Sequence, residues 1–462
     1  MLLQFSVKNF LSFKDEVILN MVPAKGRVMQ DHIIFDKRGK LTNVLPVATI
    51  FGANASGKTN LIKAVSFAKN LISEGTRPDN ITGVIPHLLD PKVEKEPSHF
   101  EFIFKHDGIL YTYGFTASTN TIYKEWLSAY YTSRESVIFK RITTNNQTEV
   151  ELGLKLIKDI KTTKLSKNSN NKITPEGFLR YVAAGTRPNQ LFLTEAAKGK
   201  NIELLKPVTD WFQNHLHILD HTSQLHTLAL HAHKNKDFIP YLAKFVSQAD
   251  TGINNIQFES EDFDINKHLA TTPEKLRQKI VEDIANNSFK TAMLQKPGEL
   301  AFISKENKAT KYLRLKTEHK KTDDTIATFD ILDESDGTRR FMELVLILKN
   351  IFAEDSVYII DELDRSLHTF LSRLFIQLCV SDITEGKPHG QFITTTHDTN
   401  LLDRKLLRRD EIWFMEKDKF GASHLISLAE YKISDGLNYE NGYLNGRFGA
   451  IPFVGKIKNL LR

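Results

Sequence analysis

The eight residues Gly52-Ala53-Asn54-Ala55-Ser56-Gly57-Lys58-Thr59 fill every fixed position of the pattern GxxxxGK[S/T]. They stand between an apolar run, Val47-Ala48-Thr49-Ile50-Phe51, and an amphipathic one that opens at Asn60-Leu61-Ile62-Lys63-Ala64-Val65. The first reads as a buried strand and the second as a helix, so the chain is expected to build a strand, a glycine loop and a helix in succession. Such a loop brings backbone N–H groups together, and the helix N-terminus adds partial positive charge, which suits a nucleoside triphosphate. Gly52, Ala53, Asn54, Ala55, Ser56, Gly57, Lys58, Thr59 and Asn60 are the candidate nucleotide-binding residues. Lys58 would reach the β- and γ-phosphates, and Thr59 would hold Mg²⁺.

About 300 residues downstream, Ser356-Val357-Tyr358-Ile359-Ile360 runs directly into Asp361-Glu362, the Walker B form. An apolar strand that ends in a carboxylate offers Asp361 to Mg²⁺ or its bound water, and Glu362 as general base on an attacking water. Upstream, Glu334-Ser335-Asp336-Gly337-Thr338 precedes an apolar helical stretch from Phe341 to Phe352. Downstream come Leu363-Asp364-Arg365-Ser366 and a further strand, Gln391 to Thr396, that delivers His397 at its end.

This order of motifs resembles the ATP-binding-cassette ATPase head in its SMC, RecF and OLD branch, over roughly residues 1–127 and 300–462. Val7-Lys8-Asn9-Phe10-Leu11-Ser12-Phe13 is similar to an N-terminal element of that branch that lies near the nucleotide base. Asp250-Thr251-Gly252-Ile253 and the tail from Tyr443 to Pro452 resemble segments of the AAA-like, OLD-type ATPases of mobile elements and phage defence. The resemblance implies an α/β fold, an ABC-type P-loop NTPase head with a mixed sheet flanked by helices.

The resemblance also assigns roles. Ser335 and Gly337 would cap the γ-phosphate held by a second subunit, a task suited to a hydroxyl, an N–H and a helix N-terminus; read alone, the same segment is an ordinary helix cap. His397 would hydrogen-bond the γ-phosphate, making Glu362, His397 and Lys58 the candidate catalytic set, with Thr59 and Asp361 the metal ligands. Asp364 fits a loop that crosses between subunits. The implied partners are a second copy of the chain, head to head across ATP, a separate TOPRIM-type nuclease subunit, and a phage trigger protein. DNA is a further candidate partner, and a RecF-like or SMC-like DNA repair ATPase stimulated by DNA is the alternative. A third reading is an assembly protein that binds ATP for architecture alone.

Residues 128–300 carry no nucleotide motif, and apolar spacing over Leu154–Ile160, Asn201–Leu219, Thr227–Gln248 and Pro273–Asn287 leads us to expect a mainly helical insertion there. The expected division is therefore head residues 1–127, insertion 128–300 as a partner or assembly surface, and head residues 301–462. Six histidines at 215, 217, 221, 226, 231 and 233 lack zinc-type spacing and are expected to be packed or solvated. Lys155, Lys158, Lys161, Lys164, Lys167 and Lys172 are expected to form a solvated face.

At 462 residues the chain can bury a large core, and its formal net charge of +6 permits nucleic acid without demanding it. The single cysteine, Cys379, excludes an internal disulfide and suits a reducing cytosol. No apolar run approaches the roughly 20 residues that span a bilayer, so a cytoplasmic protein without membrane contact is expected. Only 65 residues follow His397, too few for a TOPRIM nuclease, so cutting of nucleic acid would fall to a partner.

Overall fold

A computed structural model describes residues 1–26, 28–35, 43–77, 81–145, 147–162, 175–198, 202–219, 224–235, 237–286, 291–296, 299–306, 309–384, 387–433 and 436–451. The chain forms two compact units, the first from Met1–Leu219, Asn350–Asp364 and Arg373–Arg462, the second from Asp220–Lys349 and Arg365–Ser372.

The first unit begins with β1 (Leu2–Lys8), β2 (Val17–Asn20), β3 (Val47–Phe51) and α1 (Lys58–Glu74). Then come β4 (Ser98–His106), β5 (Ile109–Ala117), β6 (Ile122–Tyr130), β7 (Ser136–Thr144) and β8 (Gln147–Leu152). Helices α2 (Leu154–Thr162), α3 (Pro175–Gly185), α4 (Phe192–Ala197) and α5 (Lys206–Asp210) follow, then a π-turn over Trp211–His215 and β9 (Leu216–Leu219). The second unit takes up α6 (Gln224–Lys234), α7 (Phe238–Gln248), β10 (Ile253–Asp262), α8 (Ile265–His268), α9 (Glu274–Ala285), β11 (Thr291–Lys296), β12 (Glu299–Glu306), β13 (Ala309–Lys320) and β14 (Ile326–Asp330). Helix α10 (Asp336–Ile351) leads back to β15 (Val357–Ile360), and α11 (Thr369–Cys379), β16 (Gln391–Thr396), β17 (Ile412–Lys417), β18 (Ser423–Ser427) and α12 (Tyr439–Leu444) complete the chain.

Two sheets build the first unit. One is antiparallel, in the order β2-β1-β4-β5-β6-β7-β8; the other is mixed, in the order β18-β17-β3-β16-β15-β9. In the mixed sheet β17, β3, β16, β15 and β9 run parallel, and only β18 is antiparallel. Every residue of β3, β15 and β16 is buried, which is why those strands, Gln391 apart, read as apolar or threonine runs. Gln391, also buried, accepts the Leu2 N–H at 2.6 Å and donates to the Leu2 and Leu45 carbonyls, pinning the start of β16 to β1. Aromatic side chains fill the core: Phe104 stacks on Trp211 at 4.1 Å between ring centres, and Phe102 meets Phe212 edge to face. The parallel strands align their carboxyl ends, so the P-loop after β3, Asp361 after β15 and His397 after β16 emerge on one side. The expected α/β head is what the chain builds.

The second unit holds a small antiparallel sheet, β10-β13-β12-β11, with β14 paired to Lys316–Lys320 of β13, beyond the stretch that β12 pairs. Its core joins Leu242 and Val246 of α7, Phe302 of β12, Leu315 of β13 and Met342 and Val345 of α10.

The insertion expected to be mainly helical is mixed instead. Residues 128–300 contain β7, β8, β9, β10 and β11 as well as α2 to α9, and β7 and β8 extend the antiparallel sheet of the first unit. The compact units divide at 219/220 rather than at 127/128, and the main segment of the second runs to Lys349 rather than 300, with Arg365–Ser372 joined to it. Within Asn201–Leu219, expected to be helical, Leu216–Leu219 pairs in parallel with β15. Lys164, Lys167, Lys172, His221 and Pro452 lie outside the described residues. Among the described residues no helix is long and apolar enough to cross a membrane.

Candidate functional site

The glycine loop sits between β3 and α1, where the sequence put it. Gly57 has φ +116°, and a Cβ there would lie 2.3 Å from Ser423 Oγ, so only glycine fits. A Cβ on Gly52 would stand 2.4 Å from the Met415 carbonyl oxygen of neighbouring β17. Ser423 Oγ donates to the Ser56 carbonyl at 2.6 Å and lies 2.8 Å from Ser12 Oγ, which accepts from Asn60 Nδ2 at 2.8 Å. Ser12 of the N-terminal element therefore reaches the loop and the first turn of α1. From the other side the tail holds it: Ala53 N–H donates to the Ala450 carbonyl at 2.9 Å, and Tyr443 OH donates to the same carbonyl at 3.0 Å.

Lys58 turns inward. Its Nζ donates to the Gly52 carbonyl at 2.7 Å and the Ala53 carbonyl at 3.0 Å, so the ammonium lies within the curl of the loop. Burial lowers its pKa, while Asp361, Asp364 and Glu362 pull the other way. Those acids place negative charge close enough to matter electrostatically, a first sign that the two distant motifs converge.

The carboxyl ends of β15 and β16 are laced together by threonines. Thr395 Oγ1 donates to Asp361 and accepts the Glu362 N–H at 2.8 Å. Glu362 itself has φ +53°, a region that side-chain-bearing residues rarely adopt and that clusters at working sites. Thr396 Oγ1 donates to Asp364 at 2.7 Å, and the His397 N–H reaches the same carboxylate at 3.2 and 3.3 Å. Asp364 thus braces His397 within the same chain. Burial first, then the Lys58 charge, lowers the pKa of His397 against the pull of Asp364, Glu362 and Asp361, which favours a neutral imidazole.

One open cavity of about 530 Å³ is lined by Asn54 to Asn60, Glu362, His397 and Lys417. The structure therefore brings together the loop, Glu362 and His397, with Asp361 linked through Thr395 to the neighbouring Glu362 backbone. The site fits a triphosphate with Mg²⁺: the loop offers N–H groups and a cation, and Thr59 and Asp361 offer the oxygen ligands that this hard cation takes.

Ser335 and Gly337 lie in the second unit. Ser335 Oγ accepts the Thr338 N–H at 3.1 Å, a helix cap on α10, and a Cβ on Gly337 would lie 2.5 Å from the Ser366 carbonyl. Glycine is required there by that close backbone approach.

Lys417 was not anticipated. It ends β17, which is parallel to β3, and its position could have been read from the rule that ligands gather at the carboxyl ends of parallel strands. Thr395 was equally unmarked, although the run Thr394-Thr395-Thr396 at a buried strand end is unusual enough to suggest side-chain bonding.

The family described as "AAA domain, putative AbiEii toxin, Type IV TA system" matches residues 47–403, from the start of β3 past His397. The chain belongs to this family. Membership places it among P-loop ATPases. Among solved structures, the chain is similar to an SMC head bound to the C-winged helix domain of ScpA, at 12% identity and TM-score 0.39, over 92% of this chain and 97% of that one. It is also similar to the SMC head domain from Thermotoga maritima, at 11% identity and TM-score 0.36, over 94% and 99%. A third similarity is to the recombination mediator protein RecF with ATP, at 14% identity and TM-score 0.34, over 92% and 99%. No curated protein matches the sequence.

Proposed function

We propose that the protein is the ATP-hydrolysing sensor and scaffold subunit of a cytoplasmic anti-phage defence system, one that controls a separate effector nuclease. The observation that carries the enzymatic half is the shared cavity, which sets the loop Asn54–Asn60 against Glu362 and His397. ATP would lie with its phosphates on the loop. Bound Mg²⁺, held by Thr59 and Asp361, would supply charge compensation on the phosphate oxygens. Lys58 would exchange its two carbonyl partners for phosphate oxygens, Glu362 would take a proton from the attacking water, and neutral His397 would donate a hydrogen bond to the γ-phosphate. Ser335 and Gly337 would complete the site of a second copy, head to head across ATP.

The defence half rests on the OLD-like motifs and on a family whose description includes a toxin of a Type IV TA system. The resemblance is to the ATPase subunit of PARIS anti-phage systems, which implies a TOPRIM-type nuclease partner and a phage protein as trigger. The competing reading is a RecF-like or SMC-like repair ATPase. Steady-state turnover of the purified protein with Mg²⁺-ATP, with and without linear duplex DNA, separates them. Turnover indifferent to DNA supports a protein-triggered scaffold; strong stimulation by DNA would replace it with the repair reading.

A further inference from the structure

Three ligand-type side chains that are remote in sequence meet in the first unit. His106 ends β4, Asp210 ends α5 and His215 closes the π-turn before β9. Nε2 of His106 lies 3.0 Å, and Nε2 of His215 3.3 Å, from the same Asp210 Oδ2. All three ligand atoms lie within 4.8 Å of one another, and the imidazole centres are 4.6 Å apart. Ligand atoms around a tetrahedral zinc with arms of roughly 2.0–2.1 Å stand about 3.3 Å apart, so two of the three edges already have the required length.

The surroundings fit ligation. His215 Nδ1 lies 3.2 Å from Oγ of fully buried Ser356, a partner that would accept the Nδ1–H and leave Nε2 free for metal. Asn214 Nδ2 donates to Asp210 Oδ1 at 2.8 Å and fixes the carboxylate. His106 and His215 also line an open cavity of about 430 Å³, which leaves room for a water as fourth ligand. This cavity shares no lining residue with the nucleotide cavity.

We propose that His106, Asp210 and His215 hold a divalent transition-metal ion of the zinc class, with water as the fourth ligand. The ion clamps the end of β4, in the antiparallel sheet, to the residue that precedes β9 at the edge of the mixed sheet. The alternative is a metal-free network in which both imidazoles donate Nε2–H to Asp210.

The full chain, stripped with EDTA and then dialysed against limiting Zn²⁺ in excess Mg²⁺, separates the two by elemental analysis and by thermal unfolding. About one zinc per chain and a zinc-dependent rise in Tm are expected. His106→Ala and His215→Ala should each lose both, while His424→Ala, on the β17–β18 hairpin, should keep both. Asp210→Asn keeps an acceptor for the imidazoles, so it should fold yet show no rise with zinc. Ser356→Ala should weaken zinc binding about 10- to 100-fold. Absence of zinc and of any Tm rise in the wild type overturns the proposal, as does wild-type zinc retention in His106→Ala or, should that variant not fold, an undiminished zinc response in Asp210→Asn.

Discussion

The hydroxyl of Thr395 accepts the backbone N–H of Glu362 at 2.8 Å while donating to Asp361, so one side chain at the end of β16 sets both carboxylate residues that follow β15. Glu362 is held at φ +53° by this bond and by the adjacent Leu363 N–H to the Thr395 carbonyl at 3.0 Å. Thr395→Val keeps the shape and removes the polar partner, leaving an N–H without its acceptor. Turnover should fall by roughly 10- to 100-fold with nucleotide affinity little changed, since the loss is in positioning. Thr395→Ser should restore most of the activity; equal loss in both variants would show that the hydroxyl does not matter.

Gly57 is fixed by geometry on two counts, its φ of +116° and the 2.3 Å approach that a Cβ would make to Ser423 Oγ. Gly57→Ala should abolish ATP binding in a fluorescent-nucleotide titration. Adding Ser423→Gly removes both the Oγ and the Cβ, which would stand 2.8 Å away, and leaves the backbone strain, so the double variant should remain defective. Recovery of binding in the double variant would mean that crowding alone excludes a side chain there.

Asp364 accepts from the Thr396 hydroxyl and the His397 N–H, so its first effect should be on how His397 stands. Asp364→Asn should lower kcat by about 10-fold and leave ATP affinity within about 2-fold, the pattern of a positioning residue. A large loss of affinity with kcat unchanged would contradict that role.

In the second unit, burial raises the Glu343 carboxyl to about 7, against the opposing effect of Arg340, whose Nη1 lies 3.4 Å away. The folded protein then binds this proton more tightly than the unfolded chain does, so stability falls as pH rises from the unfolded value near 4.5 to the folded value near 7. The full penalty above that window is at most about 3–4 kcal/mol. Glu343→Gln should be close to wild type in stability at pH 4 and more stable at pH 8; parallel denaturation midpoints across the range would contradict it.

Motifs whose chemistry is local were legible in the sequence. The strand at Val47–Phe51, the glycine loop, the strand before Asp361 and the strand before His397 all lie where apolar runs and spacing put them. The stretch between them was misread because its strands lack a clear signal. Leu216-His217-Ile218-Leu219 is a four-residue strand, buried only at Leu216, shortly after Trp211 and Phe212, and periodicity cannot separate so short a run from the end of a helix. Gln147–Leu152 and Ile253–Asp262 are largely polar strands with only part of one face covered, so few apolar residues mark them. The meeting of His106 with Asp210, 104 residues later, is set by the packing of the first unit and leaves no local spacing to read.

The account turns on Glu362 as the base that activates water beside the P-loop. The most direct test measures Mg²⁺-ATP binding and steady-state phosphate release on wild type and Glu362→Gln side by side. ATP bound by both proteins, with phosphate release falling roughly 100- to 10,000-fold in the variant, is the predicted result. Release by Glu362→Gln at the wild-type rate would contradict it, as would a wild type that binds ATP and does not turn it over.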